Sequence, residues 1–340
     1  MSKKNTTFVP KFNNSPQMNF RTTVNIPHSA WGIEHKDRLL LLGSCFADDM
    51  SAHLIRGGFQ VSANPFGTLY NPASIAETLT RLLDNRPFSS DDILHFGAEG
   101  YGTWYAHSLL SRPTADEALR EINGTFRTAA KWLRGTDVLC LTFGTAWVYR
   151  LADSRTLVAN CHHEPAARFV RERLSVEEIV AIWKPLLERL QTALPNLRIV
   201  FTVSPIRHLR DGAHQNQLSK ATLLLAVEQL LNQRTTGDDK ASPVSYFPAY
   251  ELILDELRDY RFYADDMTHP SSLAVEYIRE RFADTFFNEP TRRLAAQFEE
   301  VYKALEHRPL HPDSPEYLRF QKQALSQLVA LQDQVKVKNL

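Results

Sequence analysis

The chain has 340 residues and carries 39 Lys+Arg against 39 Asp+Glu, so its formal net charge is zero. That balance offers no broad basic face for nucleic acid, and no apolar run approaches the roughly 18 residues a membrane span requires. Three cysteines, Cys45, Cys140 and Cys161, are too few and too widely spaced for a disulfide framework or a zinc site built on CxxC pairs, which fits a reducing compartment. At 43% hydrophobic and 23% charged residues, the chain has the composition of an ordinary globular protein, able to bury roughly three quarters of its unfolded surface.

The opening stretch, MSKKNTTFVPKFNNSPQMNF, is polar, rich in Asn and Pro, and has no apolar export core. It predicts an extended surface segment over residues 1–34 and a cytoplasmic location. The first strong element is the apolar run Leu39 to Leu42, which ends at Gly43 and is followed by a helical pattern from Phe46 to Arg56. Gly57-Gly58 closes that helix, Phe59 to Val61 makes a short strand, and Pro72 to Leu83 makes the next helix. Further cycles pair a helix Ala115 to Leu133 with a strand Asp137 to Phe143, a helix Val176 to Ala193 with a strand Leu197 to Val203, and a helix Ser219 to Asn232 with a strand Val244 to Phe247. Apolar strands alternating with amphipathic helices predict an α/β fold, a mostly parallel sheet with helices on both faces. A helix from Leu273 to Phe287 follows. Two long amphipathic helices, Thr291 to Glu306 and Glu316 to Val335, then form a C-terminal extension over 291–340 that either covers the 35–290 domain or mediates a homodimer.

In such a sheet, functional groups collect past the carboxyl ends of the strands. Ser44 stands at the first of these turns, where a helix begins and backbone N–H groups converge, an environment suited to a nucleophile and its oxyanion. A base is available late in the chain in Asp265-Asp266-Met267-Thr268-His269. An aspartate three residues before a histidine lets a carboxylate fix the imidazole while its other nitrogen takes the nucleophile's proton. Spacing alone leaves Asp265 and Asp266 both open as that partner.

Gly43-Ser44-Cys45-Phe46-Ala47, with NPFGTLYNP, FGTAWVY, SPIRH and DDMTHPS in order behind it, resembles the GSCFA family over roughly residues 35 to 290. That family is similar to the SGNH (GDSL-like) hydrolases. The resemblance implies a three-layer α/β/α fold, with Ser44 as nucleophile, His269 as base and Asp266 as its orienting partner. In those hydrolases an asparagine after the third strand helps hold the oxyanion, whereas this chain reads Gly144-Thr145-Ala146. Losing one such donor costs on the order of a hundredfold in rate. Asn64, Asn71 or the Thr145 hydroxyl is left to replace it, with the Gly67 backbone N–H and that of Ser44 as the remaining donors.

Neighbouring side chains at a sharp turn point apart, so Cys45 is expected to pack inward while Ser44 faces the site. Cys161-His162-His163 lacks a second half with ligand spacing and reads as structural. Arg207 and His208, in the basic run after the fourth main strand, bind an anionic part of a substrate or pair with a core acid. Trp104 and His107 line the cleft or pack. Neither GxxxxGK[ST] nor GxGxxG after a strand is present, so no nucleotide cofactor or metal is invoked. The expected activity is a serine esterase removing a short acyl group, such as acetyl, from a carbohydrate or small metabolite. An O-acyltransferase with the same residues and a ligand-binding protein without turnover are the alternatives.

Overall fold

In a parallel strand buried on both sides, successive side chains feed opposite layers, so both faces of the strand must be apolar. The computed structural model, which describes residues 21–232, 242–311 and 313–337, follows that rule. In β1 (Arg38–Gly43), Leu40 and Leu42 enter one core and Leu39 and Leu41 the other. β5 (Val138–Phe143) sends Leu139, Leu141 and Phe143 to the first core and Val138 and Cys140 to the second. β9 (Arg198–Val203) likewise divides Ile199, Phe201 and Val203 from Val200. With β2 (Gln60–Ala63) and β10 (Val244–Phe247) these strands form one parallel sheet, in the order β2-β1-β5-β9-β10.

Helices cover both faces, as the alternation predicts. The first core is closed by α2 (Pro72–Leu83), α3 (Ala115–Arg134), α4 (Val176–Ala193) and α5 (Gly212–Asn232). The second is closed by α1 (Cys45–Arg56) and α7 (Ser272–Phe286), with α6 (Ala249–Glu251) a single turn running into a π-helical turn, Leu252–Glu256. Side-chain caps fix two of the helix starts: Asn71 caps α2, and Ser175 with Glu178 forms a capping box on α4. Strand order reverses direction between β1 and β5, so a crevice opens past their carboxyl ends, the usual place for a site in this architecture.

Two small sheets lie outside the alternation that sequence reveals. β3 (Leu94–His95) pairs with β4 (Tyr101–Gly102), and β6 (Trp147–Leu151) pairs antiparallel with β7 (Leu157–Val158) and β8 (Phe169–Arg173). The latter wall stands beside the crevice. Residues 1–20 of the expected extended segment lie outside the described residues. From Arg21 the chain runs along α7: Ile33 is buried in the second core, Trp31 packs on Phe286, and the Val24 N–H donates to Glu256 at 3.1 Å. α8 (Glu289–Glu306) sets Phe298 against Gly58 and pairs with α9 (Pro315–Val337) through Leu294, Val301, Leu331 and Val335. Among the described residues no helix is long and apolar enough to cross a membrane.

Candidate functional site

The turn after β1 needs glycine first. Gly43 has φ +145°, and a Cβ there would lie 2.2 Å from the Thr142 carbonyl oxygen of the adjacent β5, so only glycine lets the chain leave the sheet here. Its N–H is held by the Asn64 side-chain oxygen at 2.8 Å, and the Asn64 amide donates onward to Asp48 in the first turn of α1, also at 2.8 Å. Asn64 therefore stitches β1, the turn after β2 and α1 together, and its polar atoms are used up in doing so.

Ser44 takes the N-cap position of α1, yet it does not face the crevice. It is fully buried, and its hydroxyl donates to Ser204 Oγ at 2.9 Å, beneath the ends of β5 and β9. Cys45, the first helical residue, carries the exposed edge of the turn, and its Sγ lies 3.7 Å from His269 Nε2. The expected orientation of the pair is thus reversed: the serine packs inward and the thiol meets the imidazole.

The late segment assembles around His269 as its spacing suggests. His269 Nδ1 lies 2.5 Å from Asp266 Oδ2, while Asp266 Oδ1 accepts the backbone N–H groups of Thr268 and His269, each at 2.9 Å. Those two N–H groups, then the imidazole itself, hold the Asp266 carboxyl well below the usual carboxylate range. Between Asp265 and Asp266, it is Asp266 that orients the ring. The loop is pinned to the turn after β9, where the Arg207 N–H donates to the Thr268 carbonyl at 3.1 Å.

Burial pushes the Cys45 thiol up to about 11, and the Asp49 and Asp48 carboxylates add to the shift, against the opposing N–H groups of Cys45 and Phe46 at the helix terminus. The resting group is a thiol, and a base must take its proton as it reacts. His269 Nε2 is placed to do so.

Several expected oxyanion donors are occupied elsewhere. The Gly67 N–H closes a turn onto the Asn64 carbonyl at 2.7 Å, and the Ser44 N–H donates to the Thr142 carbonyl at 3.2 Å. Asn71 lines the crevice, but its side-chain oxygen caps α2 through the Ser74 N–H. The Thr145 hydroxyl is engaged with Ser219 Oγ at 3.0 Å and accepts the Trp147 N–H at 3.2 Å. Gly67, Asn64 and Thr145 are thus engaged elsewhere, whereas Asn71, whose oxygen alone is engaged, keeps its side-chain amide nitrogen as a donor.

His208 offers another candidate, a donor in the tautomer that carries its proton on Nε2. Its Nε2 is buried without a hydrogen-bond partner, and burial, then Lys220, His269 and Arg171, pull its pKa down to about 3, so the ring is neutral. It reaches the turn because position 144 is glycine: a Cβ on Gly144 would lie 3.1 Å from His208 Nε2, 2.9 Å from the Tyr70 carbonyl oxygen and 3.4 Å from Ser44 Cβ.

Sequence reasoning also passed over Lys220. Fully buried on α5, its ammonium donates to the carbonyls of Gly144 and Ser204, both at 2.7 Å, and ties the ends of β5 and β9 beneath the site. A lone lysine within a helical pattern gives no sign of this. His162 is buried between the Glu99 carboxylate and the Thr103 carbonyl, each at 2.8 Å, and stacks on Phe96, which makes it a packing residue. Trp104 packs with it, whereas His107 and Arg207 line a cleft of about 710 Å³ that adjoins His208 and Thr268.

Among solved structures, a carbohydrate esterase family 3 from Talaromyces cellulolyticus is 10% identical, with a TM-score of 0.34 over 76% of this chain and 98% of that one. A family 3 carbohydrate esterase from Clostridium thermocellum is 10% identical, with a TM-score of 0.35 over 76% and 98%. An acetyl xylan esterase from the rumen bacterium Butyrivibrio proteoclasticus is 13% identical, with a TM-score of 0.37 over 77% and 64%. Likeness at these TM-scores carries no conclusion about chemistry. No curated protein matches the sequence. Family models are more specific: the one described as the GSCFA family matches residues 38–282, and the one described as GSCFA domain protein, C-terminal domain, matches 298–340. The motif at the β1 turn and the Asp-x-x-His segment that meets it both fall within the first match, and the chain belongs to the GSCFA family.

Proposed function

We propose that this chain is an ester-type acyl hydrolase whose nucleophile is the Cys45 thiol, with His269 as base and Asp266 as its orienting carboxylate. One observation carries the reading: Asp266, His269 and Cys45 form a continuous relay, 2.5 Å and then 3.7 Å long, at the N-terminus of a helix. The thiol sulfur attacks the ester carbonyl carbon as His269 Nε2 takes its proton. The tetrahedral oxyanion forms beside the first N–H groups of α1 and the neutral His208 Nε2, a donor that substitutes for the asparagine missing at Ala146. Collapse expels the alkoxide, which takes the proton back from His269 and leaves a Cys45 thioester. Water, deprotonated by His269, then releases the acid and restores the thiol. The side chain of His269 is 47% exposed, so water has access to it. An acceptor hydroxyl in place of water would make the same chemistry a transfer.

A short acyl group such as acetyl, on a carbohydrate or small metabolite, suits a nucleophile reached over a narrow turn. The test is p-nitrophenyl acetate with intact-protein mass spectrometry under rapid quench. Acetyl trapped on the Cys45 peptide, absent in His269→Ala, supports the reading. Turnover that survives Cys45→Ala refutes it.

A further inference from the structure

The cleft beside His208 has a charge its composition does not predict. Arg171, Arg207 and Arg210 line it and, among the described residues, no aspartate or glutamate does, in a chain whose total charges cancel. On α1, Asp48 and Asp49 are both near enough to act on Cys45, with Asp49 also acting on His269.

The arginines differ in what they are already doing. Arg171 stacks over Trp147 at 4.5 Å and pairs with Asp211 through Nη1, yet its Nε is buried without a partner. Arg210 lies over the Tyr149 ring and bonds its hydroxyl, which fixes its position. Arg207 is half-buried, and among the described residues nothing hydrogen-bonds to or pairs with its guanidinium. Asp211 offsets one of the three charges, and the neutral His208 adds none. The unpaired Arg207 guanidinium suits an anionic group, because its planar fork matches carboxylate and phosphate oxygens two at a time, and the Trp147 and Tyr149 rings of the cleft suit a ring-sized ligand. At about 710 Å³ the cleft accommodates a small molecule of sugar size.

We infer that the cleft binds the alcohol portion of an anionic ester, a sugar-sized molecule bearing a phosphate or carboxylate that Arg207 and Arg171 hold while the acyl group lies at Cys45. This rests on the acyl-transfer reading for the position of the acyl group, and the binding experiment is chosen to stand apart from it. In Cys45→Ala protein, which has no nucleophile, calorimetry compares glucose 6-phosphate and glucuronate with glucose. The expected result is that at least one anionic sugar binds about tenfold or more tightly than glucose, that added salt weakens it, and that Arg207→Gln brings it to the level of glucose while Arg207→Lys recovers part of the difference. Which of the two sugars prevails tells phosphate from carboxylate. Equal affinity for all three, no binding by any of them at millimolar concentration, or anion binding unchanged by Arg207→Gln overturns the inference. Anion binding without Cys45-dependent acyl release in the wild-type protein would leave the cleft assignment standing and remove the acyl-transfer reading. Cys45-dependent release with no anion preference would do the reverse.

Discussion

Exchanging the roles of two adjacent residues is the sharpest test of this site. Ser44→Ala removes a fully buried hydroxyl that donates to Ser204 and leaves Ser204 with the Ile206 N–H at 3.3 Å. The loss is one neutral hydrogen bond, about 1 kcal/mol, and a fall in Tm of about 2 °C for a chain of this size. Esterase activity should stay within about threefold of wild type, since nothing that touches the substrate has moved. Cys45→Ala should instead lower kcat by about a thousandfold or more with little change in stability.

Cys45→Ser separates chemistry from packing. A C–O bond is roughly 0.4 Å shorter than a C–S bond, so a serine oxygen here would retreat to about 4 Å from His269 Nε2, outside hydrogen-bond range for oxygen. The geometry that suits a thiol therefore fails for a hydroxyl, and Cys45→Ser should be nearly as inactive as Cys45→Ala. The assay is p-nitrophenyl acetate turnover, paired with thermal unfolding to exclude misfolding. Full activity in Cys45→Ala together with its loss in Ser44→Ala would refute the assignment.

Three further outcomes follow from the surroundings of the thiol. Because Cys45 is raised to about 11, its alkylation by iodoacetamide in His269→Ala protein should climb nearly tenfold per pH unit from 7 to 10, as read by peptide mapping that separates it from Cys161. His208→Phe should cut kcat by about a hundredfold with KM little changed, and the deficit should be constant from pH 5 to 9, since His208 stays neutral well below that range at about 3. Lys220→Met leaves the Gly144 and Ser204 carbonyls without their buried donor and should destabilise by about 2–5 kcal/mol, measured by urea unfolding. Burial also lowers Lys220 to about 7 from 10.5, so the native state sheds this proton before the unfolded state does. Its contribution to stability therefore rises with pH from about 7 upward, and that rise should be missing from Lys220→Met between pH 7 and 8, where the thiols of Cys45 and Cys140, ordinarily titrating at 9.0 and raised by folding, stay largely protonated in both states.

Much of the fold was legible because the main sheet is built from continuous apolar strands and capped helices. α2, α4 and β10 run over the same residues the pattern indicates, and α3 ends one residue later. The β6–β8 sheet escaped because β7 is only two residues long and β8 has no apolar face, Arg171 and Arg173 sharing the side of Phe169 and Glu172 that of Val170. The wall of the cleft, and with it Arg171, was hidden for the same reason, whereas Arg207 and Arg210 stood in a basic run that sequence shows. In the site, the meeting of an aspartate with His269 could be read from spacing because both sit on one turn, but the choice of Asp266 over Asp265 needed the structure. Lys220 and Ser204 could not, since their meeting depends on where α5 crosses the sheet.

Which of Ser44 and Cys45 faces the histidine is a question of one residue of helix phase, and local geometry answers it. Ser44 has extended backbone angles, φ −67° and ψ 171°, and is still leaving the strand, so its side chain follows the sheet into the interior. Cys45 is the first helical residue, and in a helix every Cα–Cβ bond tilts toward the N-terminus. Its thiol is therefore swept back over the end of α1, toward the unsatisfied N–H groups and the edge of the strands, where His269 arrives from the other side. At this turn the side chain of the first helical residue and the helix's own N–H donors therefore converge on the side where His269 stands, which is why the thiol and not the hydroxyl meets the imidazole.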